Sequence, residues 1–184
     1  YEDVPIKAPR LADPKIFQSH PEFMKKSMNR IRFFWRWDTP EKYATNLRAY
    51  YRMITGIDGV IDRVIKYLEK AGLSNNTIII FSVDHGEANG RHESFQKFSL
   101  YEESIRVPFV IASLGDKFVI PKGVIDDEHF ISGVDLMPTV LDYAGINVPE
   151  DVQGRSIRPL VEQADVQWRN FAYVESNYWA RAVI

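Results

Sequence analysis

The strongest constraint on the fold is a short run at residues 77–83 (TIIIFSV), where nearly every side chain is apolar or β-branched. Such a continuous run is typical of a strand covered on both faces in a parallel sheet, because a solvated face would show alternating polar residues. Before it, apolar residues between Tyr43 and Leu68 recur at three- and four-residue steps, which predicts a helix over about residues 40–70. A helix that leads into a buried strand is half of a βαβ unit, so the sequence predicts an α/β fold.

The ends of this predicted helix carry local signals. Thr39 offers a capping hydroxyl, and Pro40 follows at the first helical position, where the missing N–H has no intrahelical partner to lose. Gly72 stands where many helices end in the left-handed conformation. Further elements are predicted as a strand at 107–112, a helix from Pro138 to Tyr143 ended by Gly145, a helical turn at 156–162, a strand at 171–175 and a final strand at 179–184 without its hairpin partner.

The segment before this helix has a different character. Residues 1–22 contain several prolines among scattered charges, which favours an extended segment over a periodic element. Residues 23–37 (FMKKSMNRIRFFWRW) are basic and aromatic. Two interpretations stay open for them: a short helix, or a wall of partly buried side chains whose charged heads reach solvent.

Composition excludes several classes of protein. The chain has 184 residues, of which 45% are hydrophobic, enough for one domain with a core. Its formal net charge of −2 gives no overall attraction to nucleic acid. Because the chain has no cysteine, these residues hold no disulfide, thiolate metal site or cysteine nucleophile. We expect no membrane span, since no apolar run approaches the roughly 18–20 residues that a span needs.

Asp84 and His85 form the sharpest local motif, directly after the predicted strand. Ligands of open α/β sheets bind outside the carboxyl ends of strands, which is where this pair lies. Adjacent residues of a strict strand face opposite ways, but Gly86 permits a turn that brings both side chains onto one ion. Aspartate suits calcium or magnesium, and histidine adds affinity for zinc or manganese. On local sequence alone, a simple strand-ending turn capped by the aspartate is an equal alternative.

Lys97 follows in a polar loop that could fold over a ligand. A flexible ammonium suits an oxyanion whose charge grows as a bond breaks, although most lysines of this kind are solvated surface residues. His92 in the same loop could donate a proton or contact a substrate, and Arg91 beside it could contact a sugar or an aryl group.

Three strings in order carry a family resemblance: NNTIIIFSVDHGEANGRHESFQKFSLYEESIRVPFVI, SGVDLMPTVLDYAGINVP and QGRSIRPL. Together, S-x-DHG, K-x-x-x-YEES-x-RVP and VDLMPT at this spacing are specific, whereas no single piece would be. Over about residues 40–162 the chain resembles the C-terminal half of the catalytic domain of type I sulfatases, in the alkaline phosphatase superfamily. Within these strings, Glu102 and Arg106 are four residues apart and able to pair, and Asp135 is expected to cap the helix after it.

The resemblance implies a fold and a division into domains. The expected fold is a partial alkaline-phosphatase-like mixed α/β sheet flanked by helices, with the start of a C-terminal antiparallel subdomain. The expected domains are an extended arm and aromatic, basic segment at 1–38, the C-terminal part of the sulfatase α/β domain at 39–165, and the start of a truncated β subdomain at 166–184.

The resemblance also implies an activity and its residues. Asp84 and His85 are expected to ligate a calcium ion, and Lys97 is expected to contact the sulfate group. The implied reaction is hydrolysis of a sulfate ester, in which a metal-bound formylglycine attacks sulfur and a histidine protonates the leaving alcohol. In this chain His92 is the candidate proton donor, and Arg91 and Lys97 are the candidate substrate contacts. The expected substrate is a sulfated small molecule or a sulfated glycan.

One departure from the family pattern is large. The family's nucleophile lies in a Cys- or Ser-x-Pro- or Ala-x-Arg motif near the N-terminus, and no stretch here matches it. We therefore expect a fragment that is inactive alone. The resemblance implies a parent that is periplasmic, secreted or lysosomal. Two alternatives stay open: a fragment of a phosphonate or phosphate-ester hydrolase of the same superfamily, and a noncatalytic binding module.

Overall fold

The computed structural model describes residues 1–7, 9, 13–94, 97, 99–162, 165–176 and 180–184. The chain divides into two compact units. The first unit comprises Tyr1–Gly72 and His85–Val107, and the second comprises Leu73–Asp84 and Pro108–Ile184. This division differs from the predicted domain boundaries at 38 and 165, which stay predictions.

The first unit is helical. Its helices are α1 (Pro14–Gln18), α2 (Glu22–Lys25), α3 (Met28–Arg36), α4 (Pro40–Lys70) and α5 (Glu102–Ile105). The expectation of an extended segment over residues 1–22 is therefore wrong for α1, because Asp13 caps that helix and Pro14 occupies its first turn. For residues 23–37 the structure takes the helical alternative, as α3. Within the described residues, no helix combines the length and the apolar character needed to cross a membrane.

The long helix α4 confirms the prediction from its end signals. The Thr39 side chain accepts a hydrogen bond from the backbone N–H of Lys42 at 3.2 Å. Gly72, with φ +68°, follows the C-terminal cap in the left-handed conformation that suits glycine. Since α4 has no buried residue, the hydrophobic core of the first unit lies elsewhere, around Phe17, Phe33, Trp37 and Ala88.

In the described residues of the second unit there are two antiparallel strand pairs and two helices, α6 (Leu136–Tyr143) and α7 (Arg158–Val161). β1 (Ile78–Ser82) pairs with β2 (Phe109–Ser113), with Ser82 opposite Phe109. The expected parallel neighbour of β1 is not found among the described residues. A continuous apolar run predicts a strand, but it carries no information on the direction of the neighbouring strand.

The chain ends in a hairpin. β3 (Tyr173–Ser176) pairs antiparallel with β4 (Ala180–Val183), and Ala172 and Ile184 exchange backbone hydrogen bonds of 3.0 and 2.9 Å. The expectation that the last strand lacks a hairpin partner is therefore wrong, because the strand predicted just before it is that partner. Trp179, the first residue of the predicted strand, lies outside the described residues.

Asp135 organises the buried part of the second unit, and it is 1% exposed. Its side chain accepts hydrogen bonds from the backbone N–H groups of Ser132 and Arg155, at 2.8 and 2.9 Å, and from the guanidinium of Arg169. It occupies the N-cap position of α6, as expected, but its side chain makes no capping hydrogen bond to that helix and instead completes a capping box with Ser132 on the turn before it. A carboxylate this buried needs charged and N–H partners, which the chain supplies from three separate segments.

Candidate active site

Asp84 follows β1 in the second unit. Pairing of Ser82 with Phe109 and a 3.0 Å hydrogen bond from Ser82 Oγ to the carbonyl of Pro108 fix where the strand ends. Asp84 lies beyond this anchor and its side chain is exposed. An exposed carboxylate at a fixed strand end can bind a cation without a large desolvation cost.

Gly86 holds the start of the site loop in the first unit. Its N–H donates to the carbonyl of Ser104 at 2.8 Å. A Cβ atom at this position would lie 2.0 Å from the carbonyl oxygen of Glu103, so the backbone of α5 can approach only a glycine here. This close approach fixes the backbone next to His85.

His85 and Lys97 come together in the first unit. His85 Nδ1 lies 2.8 Å from the carbonyl oxygen of Gly86. Because a carbonyl only accepts hydrogen bonds, Nδ1 carries the proton and Nε2 carries the lone pair. That lone pair faces the ammonium of Lys97, which is in hydrogen-bond contact with Nε2. Lys97 therefore contacts His85, the residue that directly follows Asp84 in the chain.

The chemistry of Asp84 and His85 fits a divalent cation. A metal-bound histidine usually donates its other ring N–H to a carbonyl or carboxylate, as His85 does to Gly86. Two protein donors do not complete the coordination of any common ion. Within the part of the chain that the structure describes, no group of three or more carboxylate and imidazole side chains could hold a metal.

Glu103 binds the other two predicted site residues, Arg91 and His92. Its carboxylate accepts hydrogen bonds from the guanidinium of Arg91 and, at 3.1 Å, from Nε2 of His92. Burial alone would raise the pKa of Glu103, but its backbone hydrogen bond, His92 and Arg91 together hold that pKa below its ordinary value. The sequence motif YEES contains Glu103, but its spacing does not indicate that Glu103 binds Arg91 and His92.

The imidazole of His92 is buried, with 8% of the residue exposed. It stacks on the ring of Tyr101, with centroids 3.9 Å apart and planes at 13°. Its Nδ1 atom has no hydrogen-bond partner among the described residues. The hydroxyl of Tyr101 in turn lies 2.7 Å from Nε2 of His20. No local pattern in the sequence indicates His20, because its partner Tyr101 lies 81 residues away.

The loop that carries these residues is strained. Asn89, His92 and Glu93 have φ values of +47°, +54° and +49°, in the left-handed region. For residues other than glycine, this conformation costs about 1–2 kcal/mol each, and it persists only where surrounding contacts hold it. Such strain is common at binding and catalytic sites, which agrees with the position of this loop between His85 and Lys97.

Comparisons with known proteins identify the family. The sulfatase family model matches residues 16–146. An arylsulfatase of Clostridium perfringens is 41% identical over 130 residues, which cover 71% of this chain and 27% of the relative. The chain spans about a quarter of the length of the curated relatives it matches.

Solved structures share the fold. A phosphonate monoester hydrolase of Silicibacter pomeroyi superposes with a TM-score of 0.77 at 28% identity, over 94% of this chain and 34% of that one. A protein in complex with its substrate D-glucosamine-2-N,6-O-disulfate superposes with a TM-score of 0.69 at 35% identity, over 78% and 30%. From the family match, the identity to the arylsulfatase and the shared fold, the chain belongs to the sulfatase family of the alkaline phosphatase superfamily.

Proposed function

We propose that this chain is part of a longer sulfatase that hydrolyses sulfate esters, with Lys97 as the residue that holds the sulfate group. The observation that carries the proposal is the contact between Lys97 Nζ and His85 Nε2 in a member of the sulfatase family. It places an ammonium beside the imidazole of the Asp84-His85 motif. An anion bound there would meet a positive charge that is held by the fold and still accessible from solvent.

Lys97 would act by stabilising charge. Its ammonium has three donors and can hydrogen-bond sulfate oxygens, whose negative charge increases as the ester bond breaks. The residue is exposed, so a substrate can reach it without prior unfolding of the loop. Since Nε2 of His85 is only an acceptor in this arrangement, it orients the ammonium without competing for its other donors.

A divalent cation is the proposed cofactor, with Asp84 and His85 among its ligands and calcium as the ion that the resemblance implies. Because Nε2 of His85 has one lone pair, an ion bound there would take the place of the Lys97 contact and leave all three ammonium donors to the substrate. When bound, the cation supplies a second positive charge at the sulfate oxygens. The remaining ligands and the formylglycine nucleophile would come from residues outside this chain. We accordingly propose that residues 1–184 alone hydrolyse no sulfate ester.

His92 and Arg91 are proposed at the leaving-group side of the same site. Glu103 orients the His92 ring by accepting a hydrogen bond from its Nε2 atom. As a proton donor, His92 would therefore act through Nδ1, the ring nitrogen with no hydrogen-bond partner among the described residues. Arg91 shares the Glu103 carboxylate and would contact a polar group of the substrate.

The proposed substrate is a sulfated glycan or a sulfated small molecule. The solved relative with D-glucosamine-2-N,6-O-disulfate as its substrate supports the glycan class. A second candidate activity is hydrolysis of phosphonate monoesters, which the shared fold with the Silicibacter pomeroyi enzyme favours. A lysine ammonium and a divalent cation would stabilise either a sulfuryl or a phosphonyl group.

The test compares both ester classes on the full-length protein that contains this chain. Turnover is measured with 4-nitrophenyl sulfate and with 4-nitrophenyl phenylphosphonate, before and after treatment with a chelator and after calcium is restored. Faster turnover of the sulfate that is lost with the chelator and returns with calcium supports the proposal. Faster turnover of the phosphonate moves the protein to the second candidate, and hydrolysis of neither ester argues for a binding module.

A further inference from the structure

The left-handed backbone at His92 and Glu93 must be stabilised by contacts from outside the loop. Two consecutive residues other than glycine in this conformation are unfavourable, so the turn depends on tertiary contacts. Glu103 supplies one contact by holding the His92 imidazole. The second contact must hold Glu93, which among the described residues is the last left-handed one before Lys97.

Arg30 of α3 supplies that second contact. Its Nη1 atom donates to the Glu93 carbonyl oxygen at 3.0 Å and to the Glu93 carboxylate at 2.7 Å. One nitrogen therefore holds both the backbone and the side chain of the strained residue. The side chains of Arg30 and Glu93 are 18% and 14% exposed, so solvent screens this ion pair less than a surface pair.

The guanidinium of Arg30 is itself fixed by aromatic rings. Its central carbon lies 3.8 Å from the ring centroid of Phe17 and 4.5 Å from that of Phe34. Phe17 of α1 is buried, and Arg30 belongs to α3. We call the contact between Arg30 and Glu93 the clamp. The aromatic side chains of α1 and α3 hold Arg30, and Arg30 holds Glu93, which lies 63 positions later.

We propose that Arg30 is a positioning residue for Lys97: it holds Glu93 in the left-handed conformation that returns the loop to His85. The inference rests on the proposed function, since Lys97 matters only if it binds the sulfate group. Arg30 touches neither Lys97 nor His85 in the contacts described above, and its effect passes through the backbone of Glu93. A displacement of the ammonium by about 1 Å is enough to slow an enzyme by about 100-fold.

The first test is Arg30→Met in the full-length protein, which keeps an apolar side chain against Phe17 and removes the N–H donors. We expect kcat to fall by about 10- to 100-fold with little change in KM, because the ammonium is misplaced while the rest of the site remains. Arg52→Met is the matched control, since Arg52 pairs with Glu2 on the exposed surface, and it should leave kcat unchanged. Unchanged kcat in Arg30→Met would overturn the proposal.

A rescue separates positioning from general damage to the fold. Glycine adopts the left-handed conformation without a steric cost, so Glu93→Gly added to Arg30→Met should restore most of the lost turnover. If Arg30→Met does not fold, Glu93→Gly alone carries the test and should keep kcat within about threefold of the parent value, because the strain that needed the clamp is gone. A loss of more than tenfold in that variant would overturn the proposal.

Hydrogen exchange separates this proposal from the sulfatase assignment. The backbone N–H groups of Gly90, Arg91 and Ser94 donate within the loop, and their protection should fall in Arg30→Met and recover in the double variant. If the parent hydrolyses no sulfate ester but this protection pattern is found, the proposed function fails and the clamp stands. If the parent is active and protection in Arg30→Met is unchanged, the clamp fails and the function stands.

Discussion

The ammonium of Lys97 is in hydrogen-bond contact with Nε2 of His85, the imidazole that directly follows Asp84 in the chain. Nδ1 of the same ring lies 2.8 Å from the carbonyl oxygen of Gly86, which leaves Nε2 as the acceptor. One histidine thus sets the direction of the lysine through its own backbone contact.

Lys97→Ala in the full-length protein should lower kcat for a sulfate ester by about 100-fold or more, the effect of removing one donor that stabilises the transition state. Lys66→Ala is the matched control, because Lys66 is an exposed lysine of α4 paired with Asp62 at 2.7 Å. Steady-state kinetics on 4-nitrophenyl sulfate measure both variants. Equal kcat values for the two would remove Lys97 from the site.

Gly86→Ala should destabilise the protein by about 1–3 kcal/mol, because the new methyl group meets the rigid backbone carbonyl of Glu103 and cannot be relieved by a side-chain movement. Gly56→Ala is the control, since nothing lies within 4 Å of its Cβ position inside α4. There alanine should stabilise the helix by about 0.5–1 kcal/mol. Urea denaturation measures both changes, and equal stabilities would contradict the close approach at Gly86.

Glu103 should contribute stability that depends on pH. Its folded pKa lies below the ordinary value of 4.5, so the folded protein binds fewer protons at this group than the unfolded chain. The contribution is therefore fully present above about pH 5 and is lost as pH falls through 4.5 towards the lower folded pKa.

Glu103→Gln tests this by removing the titrating group. The difference in unfolding free energy between parent and variant should shrink between pH 7 and pH 3, as measured by denaturant titrations at each pH. Glu102→Gln is the control, because Glu102 is exposed and lies 3.8 Å from an exposed Arg106. Its difference from the parent should stay small throughout. A Glu103 difference that stays constant with pH would contradict the lowered pKa.

Asp135→Ala should destabilise the protein by about 3–5 kcal/mol, because it leaves the partly buried Arg169 and two backbone N–H groups without their acceptor. Asp116→Ala, at an exposed turn, should change stability by less than about 0.5 kcal/mol. Denaturant midpoints with unchanged m-values measure the comparison. A loss below 1 kcal/mol for Asp135→Ala would show that solvent replaces these contacts.

Local sequence signals predicted the helices and strands whose ends are set by neighbouring residues. The extent of α4 was predicted from Thr39, Pro40 and Gly72, because capping and left-handed termination depend on neighbouring residues. The motif order identified the family. The same signals failed for the direction of β2 beside β1 and for the partner of β4, since hydrophobic patterning indicates which residues form strands and not how they pair.

The sequence by itself determined α4, α6, α7, the positions of the four strands, the family and the candidate residues Asp84, His85 and Lys97. Only the tertiary structure decided that Lys97 meets His85, that Arg30 holds Glu93 across 63 residues, and that the side chain of Asp135, the N-cap residue of α6, pairs with Arg169 instead of bonding to that helix. The physical reason is the distance along the chain over which each interaction acts. Capping, turns and periodicity act within a few residues, whereas a buried ion pair forms only after the whole chain has brought its two charges together.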